Sequence, residues 1–243
     1  MPGNEERIVW FVGAGPGDPE LITVKGRALL DKADVLIYAG SLVNPALVAS
    51  SPAEEKVDSW GMNLDNIVAL MADRVREHKT VVRLHSGDPS VYGSIVEQIT
   101  ELEKAEIGVR IVPGVSSVFA AAAALTTEYT PKGVADTLII TRPAGKTLEA
   151  DHITGLSQYP ATMAFYLGSE HFADITKKLS CPKDTPAVVI YHASWPDQMI
   201  LRGTVADIAE KARAAGITRS ALLIVGRSVL GTASGFTRSH LYS

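Results

Sequence analysis

Gly13-Ala14-Gly15-Pro16-Gly17-Asp18-Pro19 follows directly on the apolar run Ile8-Val9-Trp10-Phe11-Val12. An apolar, β-branched run that stops at glycines reads as a buried strand ending in a tight turn. In open α/β sheets the carboxyl ends of the strands are where ligands bind. Glycines let the backbone approach a bound molecule because no Cβ intervenes. Pro16 and Pro19 fix φ and stiffen the loop. Residues 20–34 carry Leu21, Val24, Ala28, Leu29 and Ala33 near helical spacing, so 8–34 reads as strand, loop, helix. Two phosphate-binding loops come close without matching. Asp18 stands at the third glycine position of G-x-G-x-x-G, and no Lys-Ser or Lys-Thr follows to complete a P-loop.

The chain has 243 residues, 46% hydrophobic and 21% charged, an ordinary globular composition. A net charge of -4 gives no reason to expect a nucleic-acid partner. Cys181 is the single cysteine, which excludes an intrachain disulfide and a cysteine-based metal site. The amino end is polar and acidic, with no secretory pattern, and no apolar run approaches a membrane span. The expected location is the cytoplasm.

The strand-then-loop logic recurs. Val35 to Tyr38 reads as a second strand ending at Ala39-Gly40-Ser41, and residues 63–77 as a helix. Thr80 to Leu84 reads as a strand running into His85-Ser86-Gly87-Asp88-Pro89-Ser90-Val91-Tyr92-Gly93. A helix over 94–105 precedes the strand Val109 to Val112, then Pro113-Gly114-Val115-Ser116-Ser117 and an alanine-rich helix. In a parallel sheet these loops share one edge. Strands are then expected at Thr137 to Thr141, Thr162 to Leu167, Ala187 to Tyr191 and Ala221 to Gly226. A short return strand at Met199 to Arg202, turning at Gly203-Thr204, implies a mixed sheet. Helices are expected over 170–179 and 205–215, and the domain boundary near residue 113.

The six histidines show no H-E-x-x-H or similar spacing, so no metal site is expected. No G-x-S-x-G elbow is present. His85 and His192 each follow a strand end; each reads equally as a functional group or as a polar loop residue. Asp88 offers a carboxylate to ligand hydroxyl or amino groups, or caps its own turn. Arg83, Arg142, Arg202, Arg219 and Arg227 lie at strand termini and together suit a polycarboxylate.

These loops, with Leu21-Ile22-Thr23, Phe165-Tyr166-Leu167-Gly168 and Ala221 to Arg227, resemble the tetrapyrrole methylases in five ordered motifs over nearly the whole chain. The resemblance implies two α/β domains, 1–113 and 114–243, with a parallel sheet in the first, a mixed sheet in the second and the active site in the cleft between them. It implies S-adenosylmethionine as cofactor, S-adenosylhomocysteine as product, a tetrapyrrole trough on the first domain, and a homodimer. Tyr38 to Val43, His85 to Gly93, Tyr191 to Asp197 and Thr218 to Leu222 resemble the branch that methylates precorrin-4 at C-11 in cobalamin synthesis. Uroporphyrinogen-methylating relatives carry a proton-handling Asp where this chain has Ala39, which argues for another substrate and leaves the proton acceptor unassigned.

Carried over residue by residue, the cofactor positions are Pro16, Ser86, Gly87, Asp88, Val91, Ser116, Ser117, Leu167 and Ala193. Gly15, Gly17, Ser41, Arg83 and His85 are assigned to the substrate, and Asp18 and Tyr92 are the catalytic candidates. Two rivals stand beside this reading: a sister methylase acting on cobalt-precorrin-4 or another corrin carbon, and a tetrapyrrole- or cofactor-binding protein without turnover.

Overall fold

The computed structural model describes residues 7–40 and 42–238. The chain separates into two compact units, one running to Ser117 and one from Val118 onward. In the first, β1 (Ile8–Gly13), α1 (Val24–Leu30), β2 (Val35–Tyr38), α2 (Pro45–Ser50), β3 (Glu55–Asp58), α3 (Leu64–Arg76), β4 (Val81–His85), α4 (Ile95–Lys104) and β5 (Gly108–Val112) follow in order. The strands form one sheet in the order β3-β2-β4-β1-β5, and every pairing is parallel.

A parallel sheet needs cover on both faces, and β1 shows how the sequence provides for it. Val9 and Phe11 join Val35, Ile37 and Val81 under the buried stripe Ile67, Val68, Met71, Ala72 and Val75 of α3. Val12 and Ala14 alternate to the other face with Leu36, Val82 and Leu84, against Leu30, Leu47 and Val48. Asn63 caps α3 by accepting from the Asn66 N–H at 2.9 Å, Asp65 lies in its first turn, and Arg74 and Arg76 lie in its last. Both ends therefore complement the helix dipole.

The second unit holds α5 (Ser117–Leu125), β6 (Leu138–Thr141), α6 (Ile153–Leu156), β7 (Thr162–Phe165), α7 (Phe172–Lys178), β8 (Pro186–Tyr191), β9 (Met199–Thr204), α8 (Ile208–Ala214) and β10 (Ala221–Val225). A 3₁₀ segment, Arg227–Ser234, follows β10. Its sheet runs β6-β7-β10-β8-β9, parallel between β6 and β7 and antiparallel elsewhere. The alanine run packs on one face, where Ala120 and Ala121 lie against Ala164, Val188 and Ile224. On the other face Phe172, Ile175, Ile208 and Ala212 cover Phe165, Val189 and Leu223. No helix among the described residues is long and apolar enough to cross a membrane.

Three local readings change. The helix expected over 20–34 is two pieces, because Asp18 caps a 3₁₀ turn at Pro19–Leu21, Ile22 is extended, and Thr23 caps α1 afresh. The α2 and α6 helices and the β3 strand were not anticipated. The four residues of β3, Glu-Lys-Val-Asp, are mostly charged, and the strand lies at the sheet edge with a half-exposed alternating pattern. The turn expected at Gly203-Thr204 is absent. Gly203 pairs with Ala187 and Thr204 with Pro186, so β9 runs straight through.

The carboxyl ends of β1, β4 and β5 meet at their glycines. A Cβ on Gly114 would lie 2.2 Å from the Gly87 carbonyl oxygen and 2.8 Å from Gly13 Cα. Gly114→Ala should therefore cost at least about 3 kcal/mol of unfolding free energy in urea. Gly145→Ala, whose Cβ meets nothing within 4 Å, should stay within about 0.5 kcal/mol. Equal effects would contradict the packing described.

Candidate active site

The loop edge of the first unit is stitched backbone to backbone. Ala14 N–H donates to the His85 carbonyl at 2.7 Å. Gly87 N–H donates to the Gly15 carbonyl at 2.8 Å, and Gly15 N–H returns the bond at 3.3 Å. Gly87 takes φ +62, a conformation that L side chains rarely adopt. Asn44 Nδ2 donates to the Gly17 carbonyl at 2.8 Å and ties the β2–α2 loop to the same edge. Pro16 and Gly17 are buried there.

Asp88 latches these loops. Its Oδ2 accepts from the Gly114 N–H at 2.8 Å, and its Oδ1 accepts from the Ser90 N–H at 2.8 Å and the Ser90 hydroxyl. Burial acts to raise its pKa, but the bonds from Ser90 and Gly114 outweigh that and hold the carboxyl below its ordinary range. The group is an anion at neutral pH, suited to an ammonium, a sulfonium or a sugar hydroxyl. Ser116 is buried, with its Cα 3.6 Å from where a Gly87 Cβ would stand. Asp18 Oδ1 accepts from the Glu20 N–H at 2.9 Å, which shapes the first loop. Tyr92 is exposed and takes φ 55.

Beneath this edge lie two buried polar side chains on the same face of β4. Arg83 Nη1 donates to Ser59 Oγ at 2.9 Å and Nε to Gln98 Oε1 at 3.3 Å. Burial lowers its pKa to about 10 against the pull of Asp58. No carboxylate among the described residues comes within salt-bridge distance of it. His85, 8% exposed, stacks on Phe11 with centroids 5.4 Å apart. Its buried Nε2 has no hydrogen-bond partner among the described residues. Burial, and then the Arg83 charge, lowers its pKa to about 3, so the ring is neutral.

In the second unit β7 and β8 both run against β10, so their carboxyl ends share an edge. Leu167, exposed at φ 53, follows β7, and buried Ala193 follows β8. Tyr166 accepts the Val118 N–H at 3.1 Å through its hydroxyl. Next to Ala193, His192 Nδ1 lies 3.0 Å from each carboxylate oxygen of Asp197.

The profile of the tetrapyrrole (corrin/porphyrin) methylases matches residues 8–209. The chain belongs to that family. A cobalt-precorrin-4 C(11)-methyltransferase of Methanocaldococcus jannaschii is 49% identical over 229 residues, covering 92% of this chain and 88% of the relative. The X-ray structure of a cobalt precorrin-4 methyltransferase superposes with a TM-score of 0.89 at 43% identity, covering 94% of this chain and 98% of that one. A Thermus thermophilus uroporphyrin-III C-methyltransferase, solved with S-adenosylhomocysteine, superposes with a TM-score of 0.79 at 29% identity, each chain covered to 93%.

The cofactor of such a methylase needs small loops, backbone donors, hydroxyls and an anion. The first unit brings Pro16, Ser86, Gly87, Asp88, Ser116 and Ser117 onto one edge, with Val91 one turn beyond Asp88. The second unit brings Leu167 and Ala193 to one edge of its own sheet. Gly15 and Gly17 lie in the first loop, whereas Arg83 and His85 lie below it in the sheet. Ser41 lies outside the described residues. Sequence reasoning missed the partners of Arg83, Ser59 and Gln98, which come from other elements. It also missed the pairing of His192 with Asp197, although a His and an Asp five apart around Trp-Pro was its local signal.

A histidine buried neutral ties stability to pH. Between the folded value of about 3 and the ordinary ~6.5 of an unfolded histidine, the unfolded chain binds the extra proton. Stability should therefore fall as pH drops from ~6.5, by up to about 1.4 kcal/mol per pH unit from this group. His85→Phe keeps the stack on Phe11, and in urea titrations from pH 4 to 7 it should lose that one-proton slope. An unchanged slope would exclude His85 as its source.

Proposed function

We propose that this chain transfers a methyl group from S-adenosylmethionine to C-11 of the precorrin-4 skeleton, giving the precorrin-5 skeleton in cobalamin synthesis. The observation that carries this is the 49% identity, across 92% of the chain, to a relative named for that reaction. The uroporphyrin-III relative shares the fold at 29% identity, and the Ala39 position separates this chain from that substrate in the same direction. The reading includes a cytoplasmic homodimer, as the composition and the family resemblance suggest.

Bound S-adenosylmethionine supplies a methyl group already activated by a sulfonium. The protein's work is then alignment and exclusion of water, worth up to ~7–11 kcal/mol of barrier when the geometry is right. In the first unit Pro16, Ser86, Gly87, Asp88, Val91, Ser116 and Ser117 would hold the cofactor, and in the second Leu167 and Ala193. Asp88 presents the negative charge, while the glycine backbones leave room for a close approach. We assign the tetrapyrrole to the first unit, with Gly15, Gly17, Arg83 and His85 in its site and Asp18 and Tyr92 on the adjoining loops. Arg83 is a buried cation lacking a carboxylate partner among the described residues, and a polycarboxylate substrate answers that charge.

The test is methyl transfer from labelled S-adenosylmethionine to precorrin-4 and to cobalt-precorrin-4, with the new methyl located by NMR. Label at C-11 on either substrate is expected, and the preferred substrate tells whether cobalt is already present. Label at another carbon overturns the position, and tight cofactor binding without transfer to either overturns the enzyme. Asp88→Ala should weaken cofactor binding by about tenfold or more in calorimetry while unfolding stays cooperative.

A further inference from the structure

Arg83 lies in the middle of β4, yet its guanidinium reaches the carboxyl edge of the first unit's sheet. Nη1 donates to the hydroxyl of Ser59, the residue after β3 ends. That hydroxyl donates in turn to the carbonyl of Tyr38, the last residue of β2, at 3.0 Å. Nε donates to Gln98 Oε1 on α4, and Gln98 Nε2 donates to the Ser94 carbonyl just before that helix at 3.3 Å. Ser59 and Gln98 are both buried, so packing fixes them as partners. The remaining nitrogen, Nη2, makes no hydrogen bond among the described residues.

Both partners are neutral, whereas a buried cation is ordinarily paired with an anion. The chemistry of α4 makes this pointed. The helix carries carboxylates at Glu97, Glu101 and Glu103, which are exposed or half-exposed, and an amide at the position that touches Arg83. A glutamate there would be the same length and would close a buried ion pair. Asp58 raises the Arg83 pKa from beyond salt-bridge distance, and its Oδ1 is already held by the N–H groups of Gly40 and Trp60 at 2.9 Å each. His85, two residues along β4, is neutral. The guanidinium is thus held in place without being neutralised. Trp60, which follows Ser59 in the same turn, is 75% exposed. A cation and an exposed indole carried by one turn suit a ligand that is both anionic and broadly apolar.

We propose that Gln98 is a positioning residue for the substrate: its amide aims the Arg83 guanidinium without cancelling the charge, so that a carboxylate of the tetrapyrrole becomes the missing anion. This rests on the function proposed above, which assigns the tetrapyrrole to the first unit. Ser59 acts in the same way from the other side of the guanidinium. The arrangement leaves the free protein with an uncompensated buried charge, a cost that binding of a polycarboxylate removes. It also discriminates between ligands, because an uncharged group at that point would leave the cation unpaired.

The experiment compares wild type with Gln98→Glu, which keeps the side chain's length and acceptor and adds the negative charge, and with Gln98→Met, which keeps the length and removes the acceptor. In Gln98→Glu the urea midpoint should rise, because the buried cation gains a counter-ion. The dissociation constant for precorrin-4, titrated directly by its absorbance, and the KM should both rise by about tenfold or more. In the same variant kcat should stay within about threefold, and the dissociation constant for S-adenosylmethionine within about twofold. Greater stability with weaker substrate binding is a split that a purely structural role would not give. Gln98→Met leaves the charge uncancelled but unguided, and its KM should rise by about threefold or more. A folded Gln98→Glu protein that binds precorrin-4 as tightly as wild type overturns the proposal. So does one whose affinity for S-adenosylmethionine falls together with that for the tetrapyrrole. Should Gln98→Glu not fold, Gln98→Met decides, and a wild-type KM there overturns the proposal. A wild type that binds precorrin-4 without methylating it would instead overturn the reaction proposed above, and the direct titration keeps the two failures apart.

Discussion

The first unit depends on how closely three strand ends approach one another. Gly13 and Gly114 pack against each other and the Gly87 carbonyl where any side chain would collide, with Cβ distances of 2.2–3.0 Å, and Gly87 is held to glycine by its φ of +62. A parallel sheet makes this possible because its strands all finish on one edge. Once they are packed so closely, main-chain bonds between the Gly15 and Gly87 segments and the Asp88 latch to Gly114 follow. The polar groups of three loops then act as a single rigid surface.

Below that surface the core is polar where a core is ordinarily apolar. Arg83 and His85 occupy two successive positions on one face of β4, beside Phe11. Neutral partners satisfy part of Arg83 and none of His85 Nε2. Burying charge and unpaired nitrogen costs stability, and replacing both with apolar groups would give a more stable sheet.

Much of this was legible in the sequence for a physical reason. Strands buried on both faces are continuous apolar runs, whether parallel like β1 and β2 or antiparallel like β8, and the glycines that end the first unit's strands are demanded by contacts within one edge. The runs at 8–12, 35–38 and 187–191 therefore located β1, β2 and β8. The edge strand β3 was hidden because only one of its faces meets the core, so Glu55 and Lys56 mask its period. The break at Ile22 was hidden because Asp18 and Thr23 compete for local N–H groups that a continuous helix would use. The surroundings of Arg83 could not be read at all, since Ser59 and Gln98 come from distant segments. The pairing of His192 with Asp197 closes a loop in which His192 and Ser194 take positive φ, 48 and 71, which no composition reveals.

The reversed direction of β10 has a consequence for how such a protein can diversify. Its first residue, Ala221, pairs with Tyr191, and the same residue exchanges hydrogen bonds with Ser169 beyond Leu167. Ser220, just before it, holds the His192 N–H. One incoming chain segment is thus fastened to both outgoing loops. Grafting a different loop after β7 or β8 would disturb the other through this shared anchor. New specificity on that edge is reached by single side-chain replacements far more readily than by exchanging loops.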